Sequence, residues 1–174
     1  MMIRSDESVD IETPAGPMRS YIFRPAAGRY PGILFYSEIF QVSGPIRRLA
    51  AFFAGHGYVV AVPEIYHEFE AAGAVFPYDD AGAARGNELK FTKTLANYDA
   101  DARAAVGFLK SYQYCTGRIG VIGVCIGGHL AFRAALNPEV LAEPAFTRPT
   151  CTRALSARAR ATIRLSARAR FAVS

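Results

Sequence analysis

At 174 residues, 51% of them hydrophobic and 20% charged, the chain has room for one domain with a substantial core. No apolar run approaches the roughly 20 residues that span a bilayer, and the opening MMIRSDESVDIE has no apolar signal core, so neither a membrane span nor a secretory signal is expected. The net charge of +5 is unevenly spread: residues 1–143 hold all fifteen Asp and Glu with thirteen Lys and Arg, a net of −2, whereas the last 31 residues hold seven Arg and no acid.

In chain order, VDIETPAGPMRSYIFRP (9–25) predicts an antiparallel hairpin turning near Ala15-Gly16-Pro17. The apolar runs GILFYS (32–37), GYVVAV (57–62) and RIGVIGV (118–124) predict buried parallel strands, because they do not alternate with polar residues. Between the first two, Ile46, Leu49, Ala50 and Phe53 recur at helical spacing, with Ser43 as N-cap and Gly55 or Gly57 as terminator. Residues 64–91 read as a long excursion with Gly73, Pro77 and Gly82, of the kind that lines ligand sites at carboxyl strand ends. Leu95, Tyr98, Ala102, Ala105 and Leu109 predict a second helix, and HLAFRAAL (129–136) a third. Strands separated by helices imply an α/β fold with an open, mostly parallel sheet.

The stretch GVIGVCIGGHLAFR (120–133) carries the chemistry. A strand runs into Gly-Val-Cys-Ile-Gly-Gly and then a helix, which is the context of a nucleophile elbow, G-x-[Ser/Cys]-x-G. The turn would strain Cys125, and Gly123 and Gly127 would flank it because a Cβ at either place collides with neighbouring chain. Cys125 would then sit at a helix N-terminus, where the dipole favours a thiolate, with the Ile126 N–H aimed at a developing oxyanion. A dinucleotide fingerprint fails because Gly120 and Gly123 are three apart, and a P-loop fails because His129 stands where Lys belongs. A buried, inert Cys125 in a Gly-rich turn is the remaining alternative. Cys115, Cys125 and Cys151 make an odd set without metal-ligand spacing, which fits reduced thiols in a cytoplasmic protein.

Taken together, YSEIF (36–40), PEIYHEF (63–69) and GVCIGGHLAFRAAL (123–136) resemble the dienelactone hydrolase family over roughly residues 5–142. The resemblance implies an α/β-hydrolase with a cysteine nucleophile, Cys125, that opens enol-lactones or other esters. It makes Glu38 the glutamate that contacts the resting thiol and helps to activate it, and Ile39 N–H the second oxyanion donor beside Ile126. It also suggests Arg85 as a grip on a substrate carboxylate, although the local match is poor. A carboxylate at the end of a buried strand is costly unless paired or functional, which supports Glu38 independently; the alternative is a solvated loop acid. His67 is a candidate for the pocket lining, with a packed or solvated histidine as the alternative, His56 caps or packs at a helix end, and His129 points down its helix. Glu64 and His67 have E-x-x-H spacing without a second pair, a weak metal signal. Neither a metal nor a cofactor is expected.

The family's triad also needs an Asp and a His after the nucleophile, and no Asp, Glu or His follows Glu143. Residues 1–143 therefore read as a partial hydrolase domain, truncated after the nucleophile helix and impaired in turnover. Residues 144–174, in which LSARAR occurs twice, read as an Arg/Ala-rich tail, disordered or out of frame. The other function class is a non-catalytic binding or dimerising module with a basic tail. The expected partner is a small-molecule lactone or ester; a nucleic acid would have only the tail to bind.

Overall fold

A computed structural model describes residues 1–142 and 145–146. The hairpin is β1 (Ile3–Thr13) and β2 (Gly16–Pro25), joined through Pro14 and Ala15. Thr13 pairs with Gly16, whose φ is +107°, a value that only glycine adopts without strain. The start of β1, IRSDES, is polar and mostly exposed, with Arg4, Ser5 and Asp6 exposed in succession, so it carries no strand signal.

β3 (Tyr30–Tyr36), β4 (Val59–Pro63) and β5 (Cys115–Val124) form the parallel centre. Among the described residues the sheet order is β1-β2-β4-β3-β5-β6, where β6 is Val140–Ala142 and β7 (Ala145–Phe146) also pairs with β5. β4 is buried along its whole length, as expected when helices cover both faces. Alternate residues of one strand feed two cores. Ile33 and Phe35 pack with Ile46 and Ala50 of α1 (Gly44–Gly55), while Leu34 and Tyr36 pack with a larger cluster on the opposite face. That cluster includes Ala102, Ala105, Val106 and Leu109 of α3 (Leu95–Ser111) and Leu130 and Ala131 of α4 (Ile126–Ala134).

The excursion contains a helix that the sequence pattern does not announce, α2 (Asp80–Thr92). It has no apolar stripe, and its buried positions are Gly82, Gly86 and Leu89. Both glycines mark close approaches: a Cβ on Gly82 would lie 2.0 Å from the Pro77 carbonyl oxygen, and one on Gly86 2.5 Å from that of Ile39. The legible signal is Asp79, whose side chain caps the helix by accepting from the Gly82 N–H at 2.8 Å. Two short strands follow α4, and β7 pairs Ala145 and Phe146 with Gly123 and Val124, so the sheet continues past residue 143. The remaining part of the tail, Cys151 included, lies outside the described residues.

Candidate active site

β3 and β5 are adjacent and parallel, and Tyr36 pairs with Gly123. Two residues beyond this pair the strands deliver Glu38 and Cys125 at the same edge of the sheet. Cys125 occupies the N-cap position of α4 with φ +57° and ψ −119°, and it is exposed. The buried-thiol alternative is therefore excluded.

The elbow is made by near-contacts between backbones. A Cβ on Gly123 would lie 1.9 Å from the Gly127 carbonyl oxygen, and one on Gly127 2.3 Å from that of Tyr36. No side chain can yield to relieve either clash, so both positions require glycine. Among the described residues only Gln41 and Cys125 combine a side chain with left-handed φ. Such strain costs about 1–3 kcal/mol per residue and clusters at functional sites. Here both residues flank one sheet edge.

Gln41 belongs to the loop that carries Glu38, and the excursion clasps this loop. Gln41 Oε1 accepts from the Tyr66 N–H at 3.3 Å, and the Tyr66 hydroxyl donates to the Gly86 carbonyl at 3.0 Å. Gly86 in turn lies against Ile39, which closes a ring of contacts around the loop. Burial raises the pKa of Tyr66, and Tyr98 and Cys125 lie close enough to raise it further. Glu38 itself accepts a hydrogen bond from the Tyr78 hydroxyl, and the Tyr78 ring lies 4.4 Å from that of Phe40. The Tyr78 hydroxyl thus occupies one of the two Glu38 carboxylate oxygens, Oε1. Gln41 and Tyr78 had no sequence signal, because neither belongs to a motif, and Tyr66 lies in PEIYHEF (63–69) without having been singled out.

The remaining candidates lie elsewhere. The His67 side chain is only 3% exposed, and its Nε2 lies 3.1 Å from Asp101. It belongs to a buried cluster in which Lys93 Nζ sits 2.7 Å from Glu68 and 2.6 Å from Asp101. His67, Glu68 and Asp101 offer ligand atoms within 4.8 Å of one another, but the Lys93 ammonium already supplies the cation between the two carboxylates. Burial pushes the Asp101 carboxyl up, yet the His67 hydrogen bond and the Lys93 charge outweigh it and leave the pKa lowered. Glu64 is separate from His67: its Oε1 accepts from the Tyr21 hydroxyl at 2.9 Å and the Gly73 N–H at 2.8 Å, so the E-x-x-H spacing makes no shared site. Arg85 is held by Glu70 and Glu88, which already neutralise it. His56 Nδ1 donates to the Phe52 carbonyl at the end of α1, and His129 lies on α4. An open apolar groove of about 460 Å³ lies between Pro31, Phe53, Ile119 and Leu141. It begins at the amino end of β3, away from the Cys125 edge.

The dienelactone hydrolase family model matches residues 18–167. The chain belongs to the dienelactone hydrolase family. The match extends past residue 142, where the resemblance read from sequence stops. A Saccharomyces cerevisiae protein provisionally named a carboxymethylenebutenolidase is 41% identical over 152 residues, covering 83% of this chain and 55% of its own. A carboxymethylenebutenolidase of a Pseudomonas species is 31% identical over 134 residues, covering 77% and 56%. The chain thus spans about half the length of these relatives. The crystal structure of a provisionally named dienelactone hydrolase from Klebsiella pneumoniae superposes with a TM-score of 0.71 at 26% identity, covering 82% of this chain and 59% of that one. Among the described residues no helix is long and apolar enough to cross a membrane.

Proposed function

We propose that this dienelactone hydrolase family chain carries the acylating half of a cysteine esterase or lactonase site. One observation supports this reading above the others: Cys125 is exposed and strained at the N-terminus of α4, beside the loop that carries Glu38. In the reaction the Cys125 S–H bond breaks and its proton passes to Glu38. The sulfur pair attacks the ester or lactone carbonyl, and the C–O bond then breaks to leave a thioester and a free oxyanion. The N–H of Ile126, in the first turn of α4, has no partner within its helix and would hold the carbonyl oxygen together with the N–H of Ile39. Arg85 and His67 are left out of this scheme, because acids already hold both. The substrate is a small ester or lactone and no cofactor is invoked. The free thiols of Cys115 and Cys125 fit a reducing, cytoplasmic compartment.

No Asp, Glu or His follows Glu143, so the 174-residue chain has no triad histidine to activate water after Cys125. Acylation should therefore outrun deacylation. p-Nitrophenyl acetate tests the scheme, because p-nitrophenolate leaves without a general acid. The expected result is a stoichiometric burst that disappears in Cys125→Ala, followed by little turnover. Absence of the burst refutes the nucleophile; sustained turnover that Cys125→Ala abolishes refutes the impairment.

A further inference from the structure

The phenol of Tyr78 sits between two groups. It donates to Glu38 Oε1, and its oxygen lies 2.7 Å from Ser43 Oγ. A phenol has one proton. With that proton given to Glu38, the Ser43 hydroxyl must donate to Tyr78, and each bond polarises the next. Burial raises the pKa of Tyr78 and the Glu38 bond raises it further, so the phenol keeps its proton near neutral pH.

Two features show that this chain is built at some cost. Ser43 holds the N-cap position of α1 yet makes no side-chain capping bond; its hydroxyl, 1% exposed as a residue, faces Tyr78 instead. A serine at this position ordinarily caps its helix, and α1 forgoes that bond. Tyr78 is 55% exposed, so water could solvate its hydroxyl, but its ring lies against Phe40, tilted by 33°, and the hydroxyl reaches the carboxylate.

We infer that Tyr78 is a positioning residue for acylation: it pins Oε1 of Glu38 and leaves Oε2 to take the Cys125 proton. This rests on the reading of Cys125 and Glu38 given above. A glutamate on a loop has three side-chain torsions to fix, and a bond to one oxygen removes most of that freedom before the reaction. When the Cys125 S–H bond breaks, the proton moves to Oε2, the pair stays on sulfur to form the S–C bond, and the leaving oxygen departs with the C–O pair. Tyr78 keeps its proton and its bond to Oε1 throughout.

The test is the burst of p-nitrophenolate from p-nitrophenyl acetate, measured on the 174-residue chain and its variants. Tyr78→Phe keeps the ring and removes only the hydroxyl. It should lower the saturating acylation rate about tenfold, the scale of a misplaced catalytic group, without changing the half-saturating concentration. In a Glu38→Gln background the same substitution should have no effect, because Tyr78 acts through that carboxylate. Ser43→Ala should act in the same direction and less strongly. A wild-type rate in Tyr78→Phe, or an equal loss in the Glu38→Gln background, overturns the proposal while the site stands. A wild-type rate in Glu38→Gln, or a burst that survives in Cys125→Ala, overturns the site reading and the proposal with it.

Discussion

The elbow at Cys125 and the loop at Glu38 end up at one sheet edge, but they are held in different ways. The elbow is fixed by backbone atoms four residues apart, Gly123 against Gly127. The loop is fixed by groups 25 and 40 residues away, the Tyr66 backbone N–H on Gln41 and the Tyr78 hydroxyl on Glu38. A locally determined turn tolerates almost no substitution at its glycines and depends little on the rest of the fold. A loop clasped from a distance depends on whatever holds the clasp, here a buried ionic cluster on the excursion and α3.

The sharpest way to break the local half is Gly123→Ala. Its Cβ would meet a backbone oxygen at 1.9 Å, and the β5 pairing with β3 leaves no room to retreat. We expect a loss of more than about 4 kcal/mol, at the exceptional end of single substitutions, seen as loss of the cooperative unfolding transition. A folded Gly123→Ala chain with unchanged Cys125 alkylation would show that the elbow relaxes more easily than its geometry implies.

Next in size is the clasp. Lys93 is fully buried between Glu68 and Asp101. Lys93→Met leaves two carboxylates without their cation, and removing one partner of a buried ion pair costs about 3–5 kcal/mol. Denaturant unfolding measures this. The comparison gains most from the triple variant Lys93→Met, Glu68→Gln, Asp101→Asn, which removes all three charges and should recover most of the loss. If the single and triple variants are equally unstable, the cluster acts through packing rather than charge.

This contrast also explains what could be read from sequence. Strands β3, β4 and β5 and the elbow were legible because burial on both faces and glycine at close approaches leave marks on neighbouring residues. Cys125 came from such a local pattern, and Glu38 from the family resemblance carried by YSEIF. α2 was not legible, because its buried face is glycine at 82 and 86, which reads as a helix breaker. The roles of Tyr78 and Gln41 were invisible for a related reason: each is set by contacts across the fold. His67 left two readings open in the sequence, pocket lining or packed histidine, and Asp101, 34 residues away, draws its ring into a buried cluster.

Two carboxyls should make stability depend on pH with opposite signs, and both belong to the network that holds the excursion. The folded pKa of Asp101 is lowered, so its contribution is present above the unfolded value near 3.9 and is lost as pH falls through the folded value. Asp101→Asn should therefore remove part of the acid-induced loss of stability below about pH 4. An unchanged acid limb would mean that other carboxylates dominate it.

Glu64 gives the smaller and more diagnostic effect. It is 1% exposed, and burial raises its pKa more than the Tyr21 and Gly73 hydrogen bonds lower it. The folded state then binds a proton more tightly than the unfolded chain, so stability falls as pH rises from the unfolded value of about 4.3 through the folded one. Glu64→Gln cannot ionise and keeps an acceptor for the Tyr21 hydroxyl and the Gly73 N–H. It should flatten that decline, so that its stability relative to wild type improves between pH 4 and neutrality. Denaturant midpoints across that range decide the matter. Parallel curves for the two proteins would mean that Glu64 is ionised as readily in the fold as outside it, and that Arg19 and Arg47, the cations acting on it, offset its burial in full.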